Sequence, residues 1–284
     1  VGNFLYLNGV LRSLMIDDNT VIQANYYNTN YYKPEYVNEN FDCFVIPLAD
    51  AFRENFVNEL NELTSFVKKL KIPCYVIGVG LKESYEPDFS QPKPQDEAVK
   101  KFVTAVLEKS NCIGVRGELT GKYLETLGFA EGRDFMVIGC PSMYMKGKRL
   151  HIQNPKLDVN SKVCFNSNVA ASVPTRKFIK LKMKEFENHY FIGQVVNELR
   201  SIYLGAPYEY KIEYNFRNVT DKIYQDGRLR FFCNVPKWME FLNDSDLTFG
   251  SRLHGNIAAV LAGTPALLVT KDSRTRELAE YHHL

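Results

Sequence analysis

The sequence has few cysteines, and their spacing excludes two classes of protein. There are six, and no two of them form a C-x-x-C pair. All lie in or beside apolar runs, so we interpret them as buried apolar side chains rather than as a disulfide framework or a metal site. They are Cys43, Cys74, Cys112, Cys140, Cys164 and Cys233. A chain without a disulfide framework indicates a reducing compartment, and we therefore expect a cytoplasmic protein.

The sequence also lacks an excess of charge, long apolar runs and internal repeats. A net charge of +2, from 35 basic and 33 acidic residues, gives no overall field that would favour nucleic acid. No apolar run reaches the roughly 18 residues that a membrane-spanning helix needs, and no segment repeats at a fixed period. The chain starts at Val1 rather than Met and stops after a helical pattern, which we interpret as a fragment trimmed at both ends.

What the sequence does contain is a regular alternation of two patterns. Short apolar runs predict strands, and longer amphipathic stretches predict helices. The predicted strands include 20–24, 41–46, 72–78, 112–115, 135–138, 162–165, 190–195, 247–249 and 265–270. Strands that alternate with helices predict an α/β fold with a parallel sheet covered on both faces. The segment 144–160 interrupts the alternation, so we predict one domain over 1–148 and a second over 149–284.

The most informative motif is Phe249-Gly-Ser-Arg-Leu-His-Gly255, where a predicted strand gives way to a predicted helix. Free N–H groups and the helix dipole favour anions at such a junction. Arg252 adds a planar fork that suits carboxylate or phosphate, and His254 exchanges protons near neutral pH. The motif therefore predicts an anionic substrate and proton transfer. An Arg and a His that merely cap a buried helix are the alternative.

A similar junction in the predicted first domain is Gly114-Val115-Arg116-Gly117-Glu118. Arg116 would occupy a strand end there, as Arg252 does in the second domain. Two such arginines would bind one dianion from both sides. The alternative is that Arg116 pairs with Glu118 or another nearby carboxylate. Lys271, after the strand that follows the helix of His254, is either a second phosphate contact or a solvated loop lysine.

Weaker candidates lie near the start of the chain. Gly2 and Asn3 open a predicted helix, where Gly2 would let the backbone approach a ligand, or would simply form a turn. A polar loop with Tyr26, Tyr27, Tyr31 and Tyr32 offers aromatic faces for sugar rings, although a surface loop is the default interpretation. No spacing of ligands predicts a metal site.

Taken together, these motifs resemble the polysaccharide pyruvyl transferase family. The matching pieces, in the family's order, are Gly2-Asn3, Gly114 to Glu118 with Leu124 and Gly128, Val137 to Ser142, Gln194 and Glu198, and Ser251 to Gly255 with Ala259 and Gly263-Thr264-Pro265. The resemblance implies two Rossmann-like domains that face a cleft in a glycosyltransferase-B-like arrangement. It also implies transfer of a pyruvyl group from phosphoenolpyruvate to two hydroxyls of one sugar, which gives a cyclic ketal and phosphate.

The resemblance also assigns residues and partners. Arg116, Arg252, Leu253 and His254 fall on the positions that hold phosphoenolpyruvate. We hypothesise that His254 moves the proton and that both arginines stabilise charge. The further expected substrate contacts are Gly2, Asn3, Glu118, Ser251, Gly255 and Lys271.

We expect no cofactor or metal beyond the donor substrate. The implied acceptor is a sugar of a cell-surface polysaccharide or a lipid-linked oligosaccharide, and the latter implies peripheral contact with the inner face of the membrane. Two other functions stay open: a glycosyltransferase that uses a nucleotide-sugar donor on the same fold, and a non-catalytic glycan-binding subunit.

Overall fold

The computed structural model describes residues 2–18, 20–23, 32–148, 150–207, 216 and 218–284. It divides into two compact units. We call Val10–Pro141 with Asp272–His283 the first unit, and the residues up to Gly9 with Ser142–Lys271 and Leu284 the second unit. Each unit is therefore discontinuous in sequence. The predicted domain boundary after residue 148 stays a prediction, and Tyr26, Tyr27 and Tyr31 of the predicted aromatic loop lie outside the described residues.

The described chain opens with α1 (Gly2–Leu14), and the division between the units falls within this helix. The elements of the first unit that follow are α2 (Pro34–Asn40), β1 (Phe44–Pro47), α3 (Val57–Val67), β2 (Cys74–Ile77), α4 (Asp96–Leu107), β3 (Ile113–Val115), α5 (Glu118–Thr126) and β4 (Phe135–Val137). A 3-10 turn at Glu54–Phe56 leads into α3, and another covers Pro141–Lys146.

The strands of the first unit pair in parallel. β1 pairs with β2 and β3 pairs with β4. An isolated parallel pairing of Val79 with Val115 links the continuation of β2 to β3. α4 shows why the helices pack on these strands: acidic residues occupy its first turn, where the helix dipole favours them, and its apolar residues recur on one buried face. That buried face consists of Ala98, Val99, Phe102, Val103, Ala105 and Val106.

The elements that follow are β5 (Val163–Asn166), α6 (Val173–Met183), β6 (His189–Gly193), α7 (Val196–Leu204), α8 (Lys222–Gln225), β7 (Leu229–Phe231), α9 (Val235–Asn243), β8 (Leu247–Gly250), α10 (Leu253–Ala262), β9 (Ala266–Leu268) and α11 (Ser273–His282). All of these except α11 belong to the second unit, since α11 lies within the part of the chain that completes the first unit.

The second unit contains one five-stranded parallel sheet in the order β7-β6-β5-β8-β9. β6 and β7 follow β5 on one side of it, and β8 and β9 then follow on its other side. The direction in which strands are added therefore reverses between β5 and β8. Ligands of open parallel sheets bind at the carboxyl ends of the strands beside such a reversal. The strand ends at this point are Asn166 and Gly250, which pair in register.

α10 is apolar on nearly every side, which is typical of a helix enclosed by the protein. Its residues from Gly255 to Leu261 are all buried. The helix ends at Gly263, whose φ of 93° lies in the left-handed region that favours glycine. A buried helix with little freedom to shift holds its first residues in a fixed place, and these residues include His254.

The structure confirms the predicted α/β class with parallel sheets and corrects two details. Thr20–Gln23 form no strand, because Val21 is 85% exposed and the segment has no neighbouring strand among the described residues. Cys43 and Cys233 are exposed, so burial was the wrong expectation for these two, whereas Cys74, Cys140 and Cys164 are buried as predicted. Across the described residues, every helix falls short of the length and apolar character that a bilayer crossing requires.

Candidate functional site

The loop between β8 and α10 is fixed to the end of β5 and to the residues that follow it by hydrogen bonds. Asn166, the last residue of β5, accepts the Arg252 N–H on Oδ1 across 2.8 Å. Its main-chain oxygen accepts the Ser251 N–H across 3.3 Å. The Ser251 hydroxyl in turn accepts the Asn168 N–H at 2.9 Å. Ser251, a predicted substrate contact, is 1% exposed, and these bonds show it holding the loop in place.

The Arg252 guanidinium is held at two of its three nitrogens. Nε donates to the Ser167 main-chain oxygen at 2.7 Å, and Nη2 donates to Glu198 Oε1 at 3.1 Å. Within the described residues Nη1 donates no hydrogen bond, and it is not among the fully buried polar atoms. The side chain is 12% exposed. Arg252 is therefore oriented by the protein and presents one donor nitrogen outward at the end of the sheet.

Glu198 anchors this arginine from the first turn of α7. Its carboxylate is 0% exposed. Oε2 accepts the main-chain N–H groups of Gln194 and Val195, the latter at 2.9 Å, while Oε1 faces Arg252. A buried carboxylate is tolerated when it is paired and hydrogen-bonded in this way. The residue patterns assigned no role to Glu198, and its spacing from Arg252 along the chain gives no local signal of the pair.

His254 lies in the first turn of α10 and is half-buried. The start of α1 packs on it: a Cβ added at Gly2 would lie 2.9 Å from His254 Nδ1 and 3.0 Å from its Cβ. The Tyr6 ring lies 6.4 Å from the imidazole, tilted by 56°. The glycine at position 2 therefore allows the helix backbone to approach the imidazole, while Asn3 beside it is exposed. Contact of Gly2 or Asn3 with a ligand stays a prediction.

The remaining candidates of this motif lie around the same helix start. A Cβ at Gly255 would lie 2.6 Å from Gln194 Nε2 and 2.9 Å from Asn166 Nδ2, so only glycine fits without displacing them. Leu253 is 5% exposed. Lys271 is half-buried and follows Val269, whose N–H donates to the Gly250 oxygen at 2.9 Å. Lys271 is thus placed at the same edge of the sheet as the motif.

Arg116 lies inside the first unit and is 0% exposed. Its Nε donates to the Gly78 oxygen at 2.6 Å, and its main-chain N–H donates to the Val79 oxygen at 2.9 Å. A Cβ at Gly80 would lie 2.9 Å from Arg116 Cδ, so the glycine leaves the room that the side chain occupies. The guanidinium is therefore embedded at the end of β3.

The charge of Arg116 acts on a carboxyl group of α11. Glu277 is 2% exposed and accepts both the N–H and the hydroxyl of Thr120, each at 2.9 Å. Burial raises the pKa of Glu277 to about 7, although the Thr120 hydrogen bonds and the charge of Arg116 pull it down. Glu118, by contrast, is exposed and lies 4.0 Å from Lys122. Substrate contacts of Arg116 and Glu118 stay predictions.

One further base, which is half-buried, lies in the first unit. His282 Nε2 accepts the Cys140 N–H at 2.8 Å, and burial together with neighbouring His283 lowers the pKa of His282 to about 4. The residue patterns did not indicate this contact or that of Glu277, because each joins α11 to a residue that is distant along the chain. Among the described residues, no group of three or more His, Cys, Asp or Glu side chains is placed to hold a metal ion.

Comparison with known proteins adds a family and a fold. The family model described as polysaccharide pyruvyl transferase matches residues 7–273. No curated protein matches the chain. A crystal structure of a functionally uncharacterised protein from Klebsiella pneumoniae subsp. pneumoniae NTUH-K2044 is similar with a TM-score of 0.54 and 10% sequence identity, over 100% of this chain and 84% of that one. At this identity the structural similarity shows the fold alone.

Proposed function

Because the chain belongs to the polysaccharide pyruvyl transferase family, we propose that it transfers the pyruvyl group of phosphoenolpyruvate to two hydroxyls of one sugar. The acceptor is a sugar of a cell-surface polysaccharide or of its lipid-linked precursor. The products are a cyclic ketal and phosphate. Two Rossmann-like domains in a glycosyltransferase-B-like arrangement, and a cytoplasmic location, belong to the same proposal.

The orientation of Arg252 is the observation that carries this proposal. The donor has a carboxylate and a phosphate, and a guanidinium at a helix N-terminus suits either group. Arg252 lies at the N-cap of α10, is fixed through Nε and Nη2, and keeps Nη1 for a ligand. An arginine that is already oriented loses little freedom when it binds an anion, so more of the interaction appears as affinity.

The reaction needs a proton on carbon and then two additions. A proton added to the methylene carbon turns it into a methyl group and leaves the adjacent carbon electron-poor. One sugar hydroxyl adds to that carbon, the bond to the phosphate oxygen breaks, and the second hydroxyl closes the ketal. The two hydroxyls release two protons, of which one balances the new methyl group and the other leaves with phosphate.

His254 is the residue that we propose for the proton transfer, because it is half-buried in the first turn of α10, two residues after Arg252, and an imidazole is a common proton donor and acceptor in enzymes. Arg252 would stabilise the charge of the departing phosphate. From the family resemblance, Arg116, Glu118 and Lys271 are proposed as further substrate contacts. No step in this scheme requires a cofactor.

The test combines product analysis with a matched pair of variants. The protein is incubated with phosphoenolpyruvate and with free or lipid-linked oligosaccharides, and both phosphate release and the mass of the glycan are measured. We expect a pyruvyl ketal, its loss in Arg252→Ala, and its retention in Arg230→Ala, since Arg230 is an exposed arginine of the same unit. Thermal stabilisation by a nucleotide sugar but not by phosphoenolpyruvate would instead support a glycosyltransferase.

A further inference from the structure

A second group of cations lies in the first unit, around a single carboxylate. Asp50 Oδ2 lies 3.0 Å from Arg53 Nη1, 3.4 Å from Arg274 Nη1 and 3.9 Å from Lys82 Nζ. We call these four residues the Asp50 cluster. Nothing in the proposed reaction so far uses it.

The cluster lies where ligands of parallel sheets usually bind. The parallel pairing of Phe52 with Leu81 carries the chain on from β1 and β2, and Arg53 and Lys82 come directly after it. Arg274 comes from the first turn of α11. The carboxyl ends of two strands and the start of a helix therefore meet here, and each of these positions favours a bound anion.

The charges of the cluster do not cancel. Two carboxylates face its three cations: Asp50 itself, and Asp272, whose carboxylate lies 3.9 Å from Arg274 Nη2. One positive charge is therefore left without a carboxylate. Burial raises the pKa of Asp50, but the neighbouring guanidinium groups, Arg274 foremost, outweigh burial and hold that pKa below its usual value. Nearby Glu83 adds nothing to the balance because Lys93 lies 3.8 Å from its carboxylate. Three like charges held together repel one another, and an anionic ligand would relieve this repulsion.

Several donor atoms of these cations make no hydrogen bond within the described residues. Lys82 Nζ is too far from Asp50 for a hydrogen bond at 3.9 Å, and its side chain is 45% exposed. Within the described ranges, Nη2 of Arg53 and Nη2 of Arg274 donate no hydrogen bond either. The three side chains thus offer unused donors on a surface that solvent reaches.

We propose that the Asp50 cluster binds a phosphate or diphosphate group of a substrate, which extends the proposed pyruvyl transfer and rests on it. A carboxylate would duplicate what Asp50 already supplies. A phosphate-type group brings more charge and several acceptor oxygens, which match two guanidinium forks and an ammonium. Two substrates carry such a group: the phosphoenolpyruvate donor, and an acceptor that is linked through phosphate to a lipid.

Binding can be tested without turnover. Calorimetric titration of the whole protein with inorganic pyrophosphate should show a binding site whose affinity is at least about 10-fold weaker in Lys82→Ala and in Arg274→Ala, since a charge-assisted hydrogen bond is lost. Arg276→Ala is the matched control, because Arg276 is on the same helix but is paired with Glu280 at 2.8 Å. Undiminished affinity in both cluster variants, or an equal loss in Arg276→Ala, would overturn the site. Circular dichroism confirms that each variant is folded.

Steady-state kinetics then identify the substrate. A higher KM for phosphoenolpyruvate alone in Lys82→Ala would assign the cluster to the donor, and a higher KM for a diphosphate-linked acceptor alone would assign it to the acceptor. An unchanged KM for both substrates would refute the assignment to a substrate. Pyrophosphate binding in a protein that forms no ketal would contradict the pyruvyl transfer and leave the anion site standing.

Discussion

Arg252 and Glu198 form an ion pair in which the carboxylate is completely enclosed and the guanidinium is nearly so, with Nη2 and Oε1 3.1 Å apart. The same carboxylate accepts the main-chain N–H groups of Gln194 and Val195, the two residues before α7. The orientation of the Arg252 side chain is therefore set by Glu198 of α7, the helix that follows β6.

Removing Glu198 should destabilise the protein strongly. Glu198→Ala leaves a largely buried cation and two main-chain N–H groups without their acceptor, so we expect the free energy of unfolding to fall by about 3–5 kcal/mol. Urea denaturation followed by circular dichroism measures this change. Glu185→Ala is the matched control, because Glu185 pairs with Lys182 at 2.8 Å on the surface and its loss should change the free energy by only about 0–1 kcal/mol. Equal effects of both changes would show that the buried pair contributes nothing special.

Loss of the His254 imidazole should slow the chemical step. For His254→Ala we expect kcat to fall by roughly 10²–10⁴-fold, which is the usual contribution of a positioned proton donor or acceptor. Phosphate release from phosphoenolpyruvate at saturating acceptor measures it. His189→Ala should leave kcat unchanged, since His189 contacts the Phe186 oxygen at 2.7 Å away from Arg252. Near-normal turnover of His254→Ala would remove His254 from the mechanism.

A methyl group at position 117 should disturb the packing of α11. In Gly117→Ala the new Cβ would lie 2.7 Å from Glu277 Cβ and 2.8 Å from its Cγ, while the extended backbone at φ −172° is itself open to any residue. We expect a loss of about 1–3 kcal/mol of stability from this overpacking, seen as a lower thermal midpoint. The exposed neighbour provides a comparison: Glu118→Ala should stay within about 0.5 kcal/mol of the parent protein.

Stability should depend on pH through Glu277. Its pKa rises from 4.5 in the unfolded chain to about 7 in the folded protein, so between these values the folded state binds the extra proton. The stabilisation is therefore complete below about 4.5 and is lost as the pH rises to about 7, by an amount on the order of 3 kcal/mol.

The comparison that isolates this dependence uses Glu277→Gln. His282 acts in the opposite direction, because its pKa falls from 6.5 to about 4 and its stabilisation is lost as the pH falls. We therefore expect the difference in unfolding free energy between the parent protein and Glu277→Gln to slope with pH between 4.5 and about 7. Glu185→Gln, an exposed change whose charge does not act on Glu277, should run parallel to the parent protein. A difference that is flat with pH would show that Glu277 titrates normally.

Local patterns predicted the parallel strands and the motif around Arg252. The residues from Phe249 to Gly255 are contiguous, and a strand, a turn and a helix start can be recognised from neighbouring residues. The same applies to α4, whose bounds follow directly from its apolar period. Short elements such as β7, with three residues, carry too little pattern to be recognised in this way.

The partners of the two arginines could not be predicted from such patterns. Glu198 and Arg252 meet because β5 lies between β6 and β8, and Glu277 reaches Arg116 because α11 returns to the first unit. Both contacts depend on the order of strands and on long connections. The pairing of Arg116 with Glu118 or another nearby carboxylate stays a prediction. A carboxyl group whose pKa the charge of Arg116 does lower, that of Glu277, comes from the far end of the chain.

The membership of α11 in the first unit has a consequence for biosynthesis. During translation residues 10–141 emerge early, yet the helix that carries Glu277 emerges only after the whole second unit. Until then Arg116 has no carboxylate from α11, and the surface that α11 later covers is open to water. The second unit, although most of it is translated later, can finish folding before the first. A chain truncated before residue 272 would therefore contain nearly all of the second unit but would lack the helix that completes the first.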